Sequence, residues 1–200
     1  MANKLLLATR NKKKKLELQE LLDNPGIQVL TLEDIEHIPE IIEDGSSFEE
    51  NAVKKARETA ALSGYTCLAD DSGLVVDALE GKPGIYSARF AGEEATDQEN
   101  NEKLLDMMKN IKVGSRTARF ICVIAISTPA GELESVCGVC EGKIALALSG
   151  GGGFGYDPLF IPEGYDQSFG ELPARIKNTI SHRAHALKKC QPILGRFLGL

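Results

Sequence analysis

The segment Ala69-Asp70-Asp71-Ser72-Gly73-Leu74 places two adjacent carboxylates between two apolar stretches. Residues 65–69 have the composition of a short strand, and residues 74–76 resume the apolar pattern. This predicts that the acidic pair lies at the end of a strand. When two ionised carboxylates lie so near each other, each raises the pKa of the other unless a cation neutralises them. The pair therefore indicates a divalent-ion site, and magnesium is the first expectation. The alternative is a turn in which the aspartates cap the strand and Ser72-Gly73 reverses the chain.

Composition excludes several classes of protein. With 42% hydrophobic and 26% charged residues over 200 positions, the chain is typical of a globular protein. Its net charge of -6 argues against general affinity for nucleic acid or anionic membranes, so a polyanion would need a local basic site. The apolar run at residues 5–8 is too short for a signal peptide, and no window reaches membrane-spanning length. These features predict a cytoplasmic protein without a membrane partner.

Cysteine usage indicates reduced core thiols. The five cysteines are an odd number and lie mostly in apolar segments. Cys137 and Cys140 have C-x-x-C spacing, but no second pair or histidine cluster accompanies them. A zinc or redox role is therefore the weaker interpretation.

Periodicity predicts alternating strands and helices in the first part of the chain. Strands are predicted at 4–9, 27–30 and 65–69, and helices from Asn11 to residue 22 and from the overlapping capping boxes at 46–50 to Gly64. This order predicts an α/β arrangement in layers. The connection at 33–44 is acidic and contains Glu40, Glu43 and Asp44.

The second part of the chain has a different organisation. Residues 85–90 are expected to form a loop or short strand, and Thr96 with Glu99 caps a third helix. Residues 116–127 alternate and are followed, after a turn, by a second run to 144, which predicts a long antiparallel hairpin and a candidate second lobe at about 81–145. Residues 172–200 are predicted to be mostly helical, with Pro192 bending or breaking the helix.

Three segments are candidates for anion or ring binding. The strand-to-helix corner at 9–15 aims backbone N–H groups beyond the strand, and Lys12 to Lys15 make it positive, although a solvated helix face or a basic arm for nucleic acid would have the same composition. The glycine loop, residues 149–158, has G-x-G-x-x-G spacing, but Pro158 and an apolar run follow instead of a helix, so it suits closure on a flat ring or a mobile connector. Lys177 and Ser181-His182-Arg183 suit an anion or the polar edge of a base.

Six motifs occur in order along residues 6–187: Ala8-Thr9-Arg10-Asn11 with Lys14, Phe48-Glu49-Glu50-Asn51-Ala52, Ala69 to Leu74, Pro83 to Arg89, Gly152 to Pro158, and Ser181-His182-Arg183. Together they resemble one family, the Ham1/RdgB-like inosine triphosphate pyrophosphatases, also called dITP/XTP pyrophosphatases. The resemblance implies hydrolysis of non-standard purine nucleoside triphosphates (ITP, dITP and XTP) to the monophosphate and pyrophosphate. It also implies an elongated mixed sheet with flanking helices, a nucleotide cleft between two lobes, one pyrophosphatase domain over residues 1–200, and a homodimer.

The resemblance also implies roles for individual residues. Asp71 matches the family's catalytic proton acceptor and magnesium ligand, and Glu43 is the better candidate for the second metal ligand, with Glu40 as the alternative. The implied substrate contacts are Thr9, Arg10, Asn11, Lys12, Lys13, Lys14, Ser72, Phe154, Gly155, Tyr156, Asp157, Lys177, His182 and Arg183. Arg10 stands where many members have glycine.

Two other functions are compatible with parts of the sequence. A pyrophosphatase for modified pyrimidine triphosphates would use similar phosphate chemistry. A nucleotide-sensing or nucleic-acid-binding module would use Lys12 to Lys15, although the net charge of -6 and the paired carboxylates oppose it and a stable nucleic-acid partner is not expected.

Overall fold

The computed structural model describes residues 3–22, 24–35 and 37–199. Within them, the strands are β1 (Asn3–Leu7), β2 (Ile27–Thr31), β3 (Thr66–Val76), β4 (Thr117–Ser127), β5 (Leu133–Ile144) and β6 (Phe160–Pro162). The α-helices are α1 (Lys12–Leu21), α2 (Phe48–Ser63), α3 (Asp97–Met108), α4 (Ala174–Ile180) and α5 (His182–Leu198). No helix in the described part of the chain is long and apolar enough to cross a membrane.

The strands form one mixed sheet in the order β2-β1-β3-β4-β5-β6. Strand β1 pairs in parallel with β2 and with β3, whereas β6 pairs antiparallel with β5. Parallel neighbours require a crossover connection, and α1 and α2 supply the two that link β1, β2 and β3. The predicted α/β class with a mixed sheet and flanking helices is confirmed.

The acidic pair lies inside a strand, so the prediction that it ends one is wrong. Strand β3 continues from Thr66 through both aspartates to Val76 because Leu74 and Val76, both fully buried, extend its apolar face beyond Gly73. What ends near the pair is the neighbouring strand. The register of β1 with β3 stops at Leu7 opposite Leu68. The aspartates therefore lie past the carboxyl end of β1, where parallel α/β sheets commonly place functional groups.

The predicted helix ends are confirmed. Asn11 caps α1, Ser47 caps α2, and Thr96 with Glu99 forms a complete capping box on α3. Gly64 ends α2 in the left-handed conformation, with a φ of 71°.

Two predictions about the later elements need correction. The C-terminal segment forms two helices separated at Ser181, and α5 continues through Pro192 to Leu198, so the proline does not break it. The helical prediction for Leu200 lies outside the described residues. Residues 84–89 form a 3-10 helix instead of a loop or strand, because the Ser87 hydroxyl closes the turn by donating to the Gly84 carbonyl at 2.6 Å.

The chain divides into two compact units. Unit 1 comprises residues 1–71, 122–138 and 183–200, and unit 2 comprises residues 72–121 and 139–182. The sequence predicted a second lobe at about 81–145, whereas unit 2 begins earlier, extends later and leaves out residues 122–138, which are the second half of β4, the following turn and the first half of β5.

Each unit has its own apolar core. In unit 1, buried side chains of β1, β3 and β4 pack with α1 and α5. In unit 2, the core contains residues of β3, β4 and β5 together with α3 and three phenylalanines, Phe120, Phe160 and Phe169, whose rings contact one another. Strand β3, which carries the two aspartates, is held by buried side chains that it contributes to each core.

Candidate functional site

Asp70 is the centre of a buried charge cluster in unit 1, formed with Lys14, Glu17 and Arg183. Its side chain is 1% exposed, and its Oδ2 lies 3.1 Å from Lys14 Nζ and 3.6 Å from Arg183 Nη2. Burial by itself would raise the pKa of Asp70, but the cations of Lys14 and Arg183 outweigh it and hold that pKa well below its usual range. Asp70 is therefore ionised at neutral pH, and its charge is matched inside the protein.

Asp71 has the opposite electrostatic environment. Its carboxylate is 6% exposed and accepts a hydrogen bond from Asn51 Nδ2 at 3.1 Å. Burial raises the pKa of Asp71, and the neighbouring carboxylate of Glu43 raises it further, although Lys55 and Lys14 act in the opposite direction. The folded protein therefore disfavours the Asp71 charge, in contrast to that of Asp70.

Asn51 links Asp71 to the segment that carries Glu43. While its Nδ2 donates to Asp71, its Oδ1 accepts from the Gly45 backbone N–H at 2.8 Å. A side chain at Gly45 would collide with this amide, because an added Cβ would lie 2.7 Å from Asn51 Oδ1. The residue is 2% exposed, so its amide acts as a fixed connector. Asn51 lies in one of the six motifs that resemble the family, but the resemblance implied no role for it.

Lys55 is a functional candidate that sequence reasoning missed. Its Nζ donates to Glu43 Oε1 at 2.8 Å and to the Asp70 carbonyl at 2.6 Å, and the residue is 9% exposed. The signal was available, since Lys55 lies one turn after Asn51 on the same face of α2 as the buried Ala52 and Ala56. A lysine among core positions of a helix is seldom placed there without a buried partner.

The corner predicted to bind an anion, residues 9–15, forms the start of α1 and the residues just before it. Lys14 reaches Asp70, whereas Lys12 and Lys13 are exposed. Asn11 Oδ1 accepts from the backbone N–H groups of Lys13 and Lys14 at 3.0 and 3.1 Å, so these two helical N–H groups are bonded to the cap. Thr9 Oγ1 accepts from the Asn11 N–H at 3.2 Å.

Two residues predicted for the site, Arg10 and Glu40, have no described contact with Asp70. The Arg10 guanidinium donates to the Ile38 carbonyl at 2.8 Å and so tethers the connection that leads to Glu43. Glu40 is exposed, and the carboxylate that contacts Lys55 belongs to Glu43. Glu43 therefore lies beside the aspartates, whereas no described contact brings Glu40 to them.

Arg183 and His182 are buried. Arg183, 1% exposed, pairs through Nη1 with Glu17 and through Nη2 with Asp70. His182, 5% exposed, stacks on the Phe120 ring with centroids 4.7 Å apart and an interplanar angle of 14°. Both were predicted as nucleotide contacts, and in the structure each has a defined packing role within its own unit.

The glycine loop of unit 2 is held by an ion pair at its end. Asp157 Oδ2 accepts from Lys177 Nζ at 2.6 Å and from the Phe154 backbone N–H at 2.8 Å. Lys177 Nζ also lies 4.9 Å from the centroid of the Phe154 ring. Lys177 and Asp157 are 6% and 2% exposed, while Phe154 is half-buried. One aromatic face, one ammonium and one carboxylate therefore converge here.

The two aromatic residues of the glycine loop have different positions. Tyr156 belongs to the core of unit 2, where it is 4% exposed and its hydroxyl donates to the Ser87 carbonyl at 2.9 Å. Burial, assisted by the Asp97 carboxylate, raises the pKa of this phenol. Of the two rings expected to stack on a ligand, Phe154 is the more accessible. Ser72, also expected at the site, is half-buried on β3.

The cysteine pair does not form a redox or metal motif. Cys137 is exposed and Cys140 is buried, and residues three apart on β5 point to opposite faces. Burial raises the pKa of the Cys140 thiol to about 12. Among the described residues, no three His, Cys, Asp or Glu side chains gather into a metal-binding group.

Gly153→Ala is expected to disable the glycine loop, since a Cβ at this position would lie 1.9 Å from Asp157 Oδ2. Gly153 also has a φ of 70°, which disfavours any L side chain. The methyl group must displace the carboxylate from Lys177 and Phe154. We expect KM for the nucleoside triphosphate that the resemblance implies as substrate to rise about tenfold or more, with hydrolysis kinetics as the measurement. Gly151→Ala is the matched control, because an added Cβ there meets nothing within 4 Å and φ is not positive. Equal KM values for the two variants would contradict the expectation.

Comparison with known proteins gives one consistent family. A sequence model of the Ham1 family matches residues 5–193. The chain is 53% identical to the dITP/XTP pyrophosphatase of Desulforamulus reducens and 48% identical to that of Geobacter sulfurreducens, in each case over 96% of both chains. A solved structure of a HAM1 protein from Coxiella burnetii is similar, with a TM-score of 0.88 and 39% identity over 98% of this chain and 100% of that one.

Proposed function

The chain belongs to the Ham1 family, and we propose that it is a nucleoside triphosphate pyrophosphatase that hydrolyses dITP, XTP and ITP to the monophosphate and pyrophosphate. The observation that carries this function is the 53% identity to a dITP/XTP pyrophosphatase over 96% of both chains. Removing these nucleotides from the pool would be the consequence of the activity.

The cations of unit 1 support binding of the triphosphate. A triphosphate carries about four negative charges, and phosphoryl chemistry depends mainly on positioning and charge neutralisation. Lys14 and Lys55 are both held beside the aspartates, Lys14 by the Asp70 side chain and Lys55 by the Asp70 carbonyl. Their fixed positions favour Lys14 and Lys55 for neutralising the outgoing pyrophosphate. The exposed Lys12 and Lys13 would add positive charge at the start of α1.

Asp71 and Glu43 are the residues we propose to hold Mg²⁺. The donor set fits the ion, because Mg²⁺ is usually bound by one or two carboxylates together with water and phosphate oxygens. The environment also fits, since burial and the Glu43 carboxylate both raise the pKa of Asp71, and a cation would offset both effects. When bound, Mg²⁺ would neutralise phosphate charge and favour ionisation of water.

Asp71 is also our candidate for the proton acceptor. Burial raises the pKa of Asp71 when no metal is bound. Even where Mg²⁺ offsets that rise, Asp70 is the weaker base, because Lys14 and Arg183 already pair with its carboxylate and lower its pKa despite burial. The Asn51 amide fixes the Asp71 carboxylate through Oδ2. The two adjacent aspartates would then have different roles: Asp70 would hold the cations of Lys14 and Arg183, and Asp71 would accept the proton of the attacking water.

The glycine loop supports recognition of a purine. The half-buried Phe154 ring offers a stacking face, and Lys177 supplies an ammonium donor. Hypoxanthine and xanthine carry a 6-oxo acceptor where adenine carries an amino donor. A donor built for the 6-oxo group would be left unpaired by adenine, and such mismatches can cost orders of magnitude in rate.

A substrate panel tests the proposed function. With Mg²⁺ present, we expect pyrophosphate release from dITP and XTP at least about 10²-fold faster, as kcat/KM, than from dATP, with dGTP, which shares the 6-oxo group, measured beside them. Modified pyrimidine triphosphates belong in the same panel, since a preference for them would move the assignment to the other enzyme class. Equal rates on all substrates would overturn the proposed specificity. Omission of Mg²⁺ should abolish turnover.

The cytoplasmic location and the homodimer are proposals that rest on the resemblance. The net charge of -6 supports the absence of a stable nucleic-acid partner. Light scattering on the purified protein measures the oligomeric state directly.

A further inference from the structure

Two side chains near the start of α3 form hydrogen bonds with one residue of the glycine loop, Gly155. Asp97 Oδ2 accepts from the Gly155 backbone N–H at 3.0 Å, and Asn101 Nδ2 donates to the Gly155 carbonyl at 2.8 Å. Asp97 and Asn101 are four positions apart and therefore lie on one face of the helix. Asn101 Nδ2 also donates to the Asp97 carbonyl at 2.8 Å, which fixes the amide. We call Asp97 and Asn101 the α3 clasp.

The α3 clasp fixes both peptide groups of Gly155. The N–H belongs to the peptide that joins Phe154 to Gly155, and the carbonyl belongs to the peptide that joins Gly155 to Tyr156. Gly155 has a φ of 60°, a left-handed conformation that glycine adopts readily but does not prefer strongly. Holding both groups selects this conformation and so sets the directions in which Phe154 and Tyr156 leave the backbone.

The clasp acts next to Phe154, the more accessible of the two aromatic residues in the loop. Tyr156 has a separate anchor in the Ser87 carbonyl, and Asp157 has one in Lys177. Phe154 has its backbone bond to Asp157 and the Lys177 ammonium over its ring, both from residues that follow it in the chain. The clasp adds a restraint from a different element, next to the ring proposed to stack on the base.

Burial of the Asn101 amide supports a positioning role. Asn101 is 3% exposed, and both of its described hydrogen bonds use Nδ2 as the donor. An apolar side chain would pack at such a helix position without the cost of burying an amide. The gain from the asparagine lies in the two carbonyl groups that it joins, one in α3 and one in the glycine loop.

We infer that Asp97 and Asn101 are positioning residues that pre-organise the glycine loop for the purine base and so set nucleotide affinity and base selectivity. The inference rests on the proposed function, because it assigns the clasp to the loop that would read the base. Neither side chain needs to contact the nucleotide. A loop held in one conformation before binding loses less conformational entropy when the base stacks on it.

The test compares two first-turn carboxylates of α3. Asp97 and Glu99 are both exposed, but Glu99 bonds only the Thr96 cap among the described contacts, at 2.7 Å to its N–H and 2.8 Å to its hydroxyl. For Asp97→Ala, we expect KM for dITP to rise about five- to tenfold with kcat within about twofold, and the preference for dITP over dATP to fall. Asp97→Asn keeps an acceptor oxygen and should recover most of the loss. Glu99→Ala should lose stability without a change in KM.

Amide hydrogen exchange gives a readout without substrate. Exchange in residues 153–157 should be faster in Asp97→Ala than in the wild type and unchanged in Glu99→Ala. The clasp is overturned if the wild type prefers dITP and Asp97→Ala retains its KM, selectivity and exchange, or if Glu99→Ala shifts them equally. A wild type without preference for dITP overturns the proposed function and, with it, the role of the clasp in base selection.

Discussion

Replacing Asp71 by asparagine is expected to lower kcat for pyrophosphate release by about 10³-fold or more. The amide has nearly the shape of the carboxylate but can neither accept a proton from water nor supply the anionic oxygen proposed for Mg²⁺. The substitution should therefore remove catalysis without removing the side chain. Steady-state hydrolysis of dITP at saturating Mg²⁺ is the measurement.

The same variant should be at least as stable as the wild type in buffer without divalent ions. Burial and the Glu43 carboxylate raise the pKa of Asp71, so at neutral pH the folded state carries a charge that it disfavours. Asparagine removes that charge, and its amide oxygen can still accept from Asn51, which donates to Asp71 at 3.1 Å. Thermal unfolding with and without Mg²⁺ measures this, and Mg²⁺ should raise Tm for the wild type only.

Asp44→Asn is the matched control for Asp71→Asn. Asp44 is an exposed carboxylate near Glu43 in sequence and pairs with Lys54 at 2.6 Å. Its replacement should leave kcat within about twofold, because exposed ion pairs contribute little. If Asp71→Asn retained more than about a tenth of wild-type kcat, neither the proton acceptor nor the metal site could be assigned to Asp71.

The parts of the fold that depend on local chemistry could be predicted from the sequence. Helix α2 is bounded by the Ser47 cap and by Gly64, because a hydroxyl cap and a left-handed glycine act within a few residues of each helix end. The same holds for Asn11 at α1 and Thr96 at α3. Segments whose ends are determined by neighbouring strands were less predictable, as the continuation of β3 through the aspartates demonstrates.

The candidate site was predictable in its residue types but not in its pairings. Arg183 and Glu17 are separated by 166 positions, and no periodicity indicates that they form an ion pair. Lys55 could be noticed in the sequence as a lysine among core positions of α2, but its partner could not, because only the folded chain brings its ammonium to the Asp70 carbonyl. The motif resemblance located the aspartates, while the contacts distinguish Asp70, whose charge is paired with Lys14 and Arg183, from Asp71, whose pKa burial raises.

Replacing Asp70 by asparagine is expected to destabilise the protein by about 3 kcal/mol, which corresponds to a fall in Tm of about 10 °C. Asp70 is 1% exposed and faces Lys14 and Arg183, so the neutral amide leaves two buried cations with less compensating charge. Removing one partner of a buried charge group costs more than the group contributes, because the remaining charges are still desolvated. Urea unfolding at pH 7 measures the loss, and Asp71→Asn should not reproduce it.

The stability that Asp70 contributes is expected to decrease at low pH. The cations hold the folded-state pKa of Asp70 below its unfolded value, despite the opposing effect of burial. Such a group contributes stability that is fully present above the unfolded pKa, about 3.9, and is lost as pH falls toward the folded pKa. The difference in unfolding free energy between wild type and Asp70→Asn should therefore be constant from pH 7 to about 5 and shrink below about pH 4. Asp106→Asn, which removes an exposed pair with Lys109 at 2.9 Å, should change stability by less than about 0.5 kcal/mol throughout. A loss no larger for Asp70→Asn than for Asp106→Asn would mean that the buried cluster does not depend on the Asp70 charge.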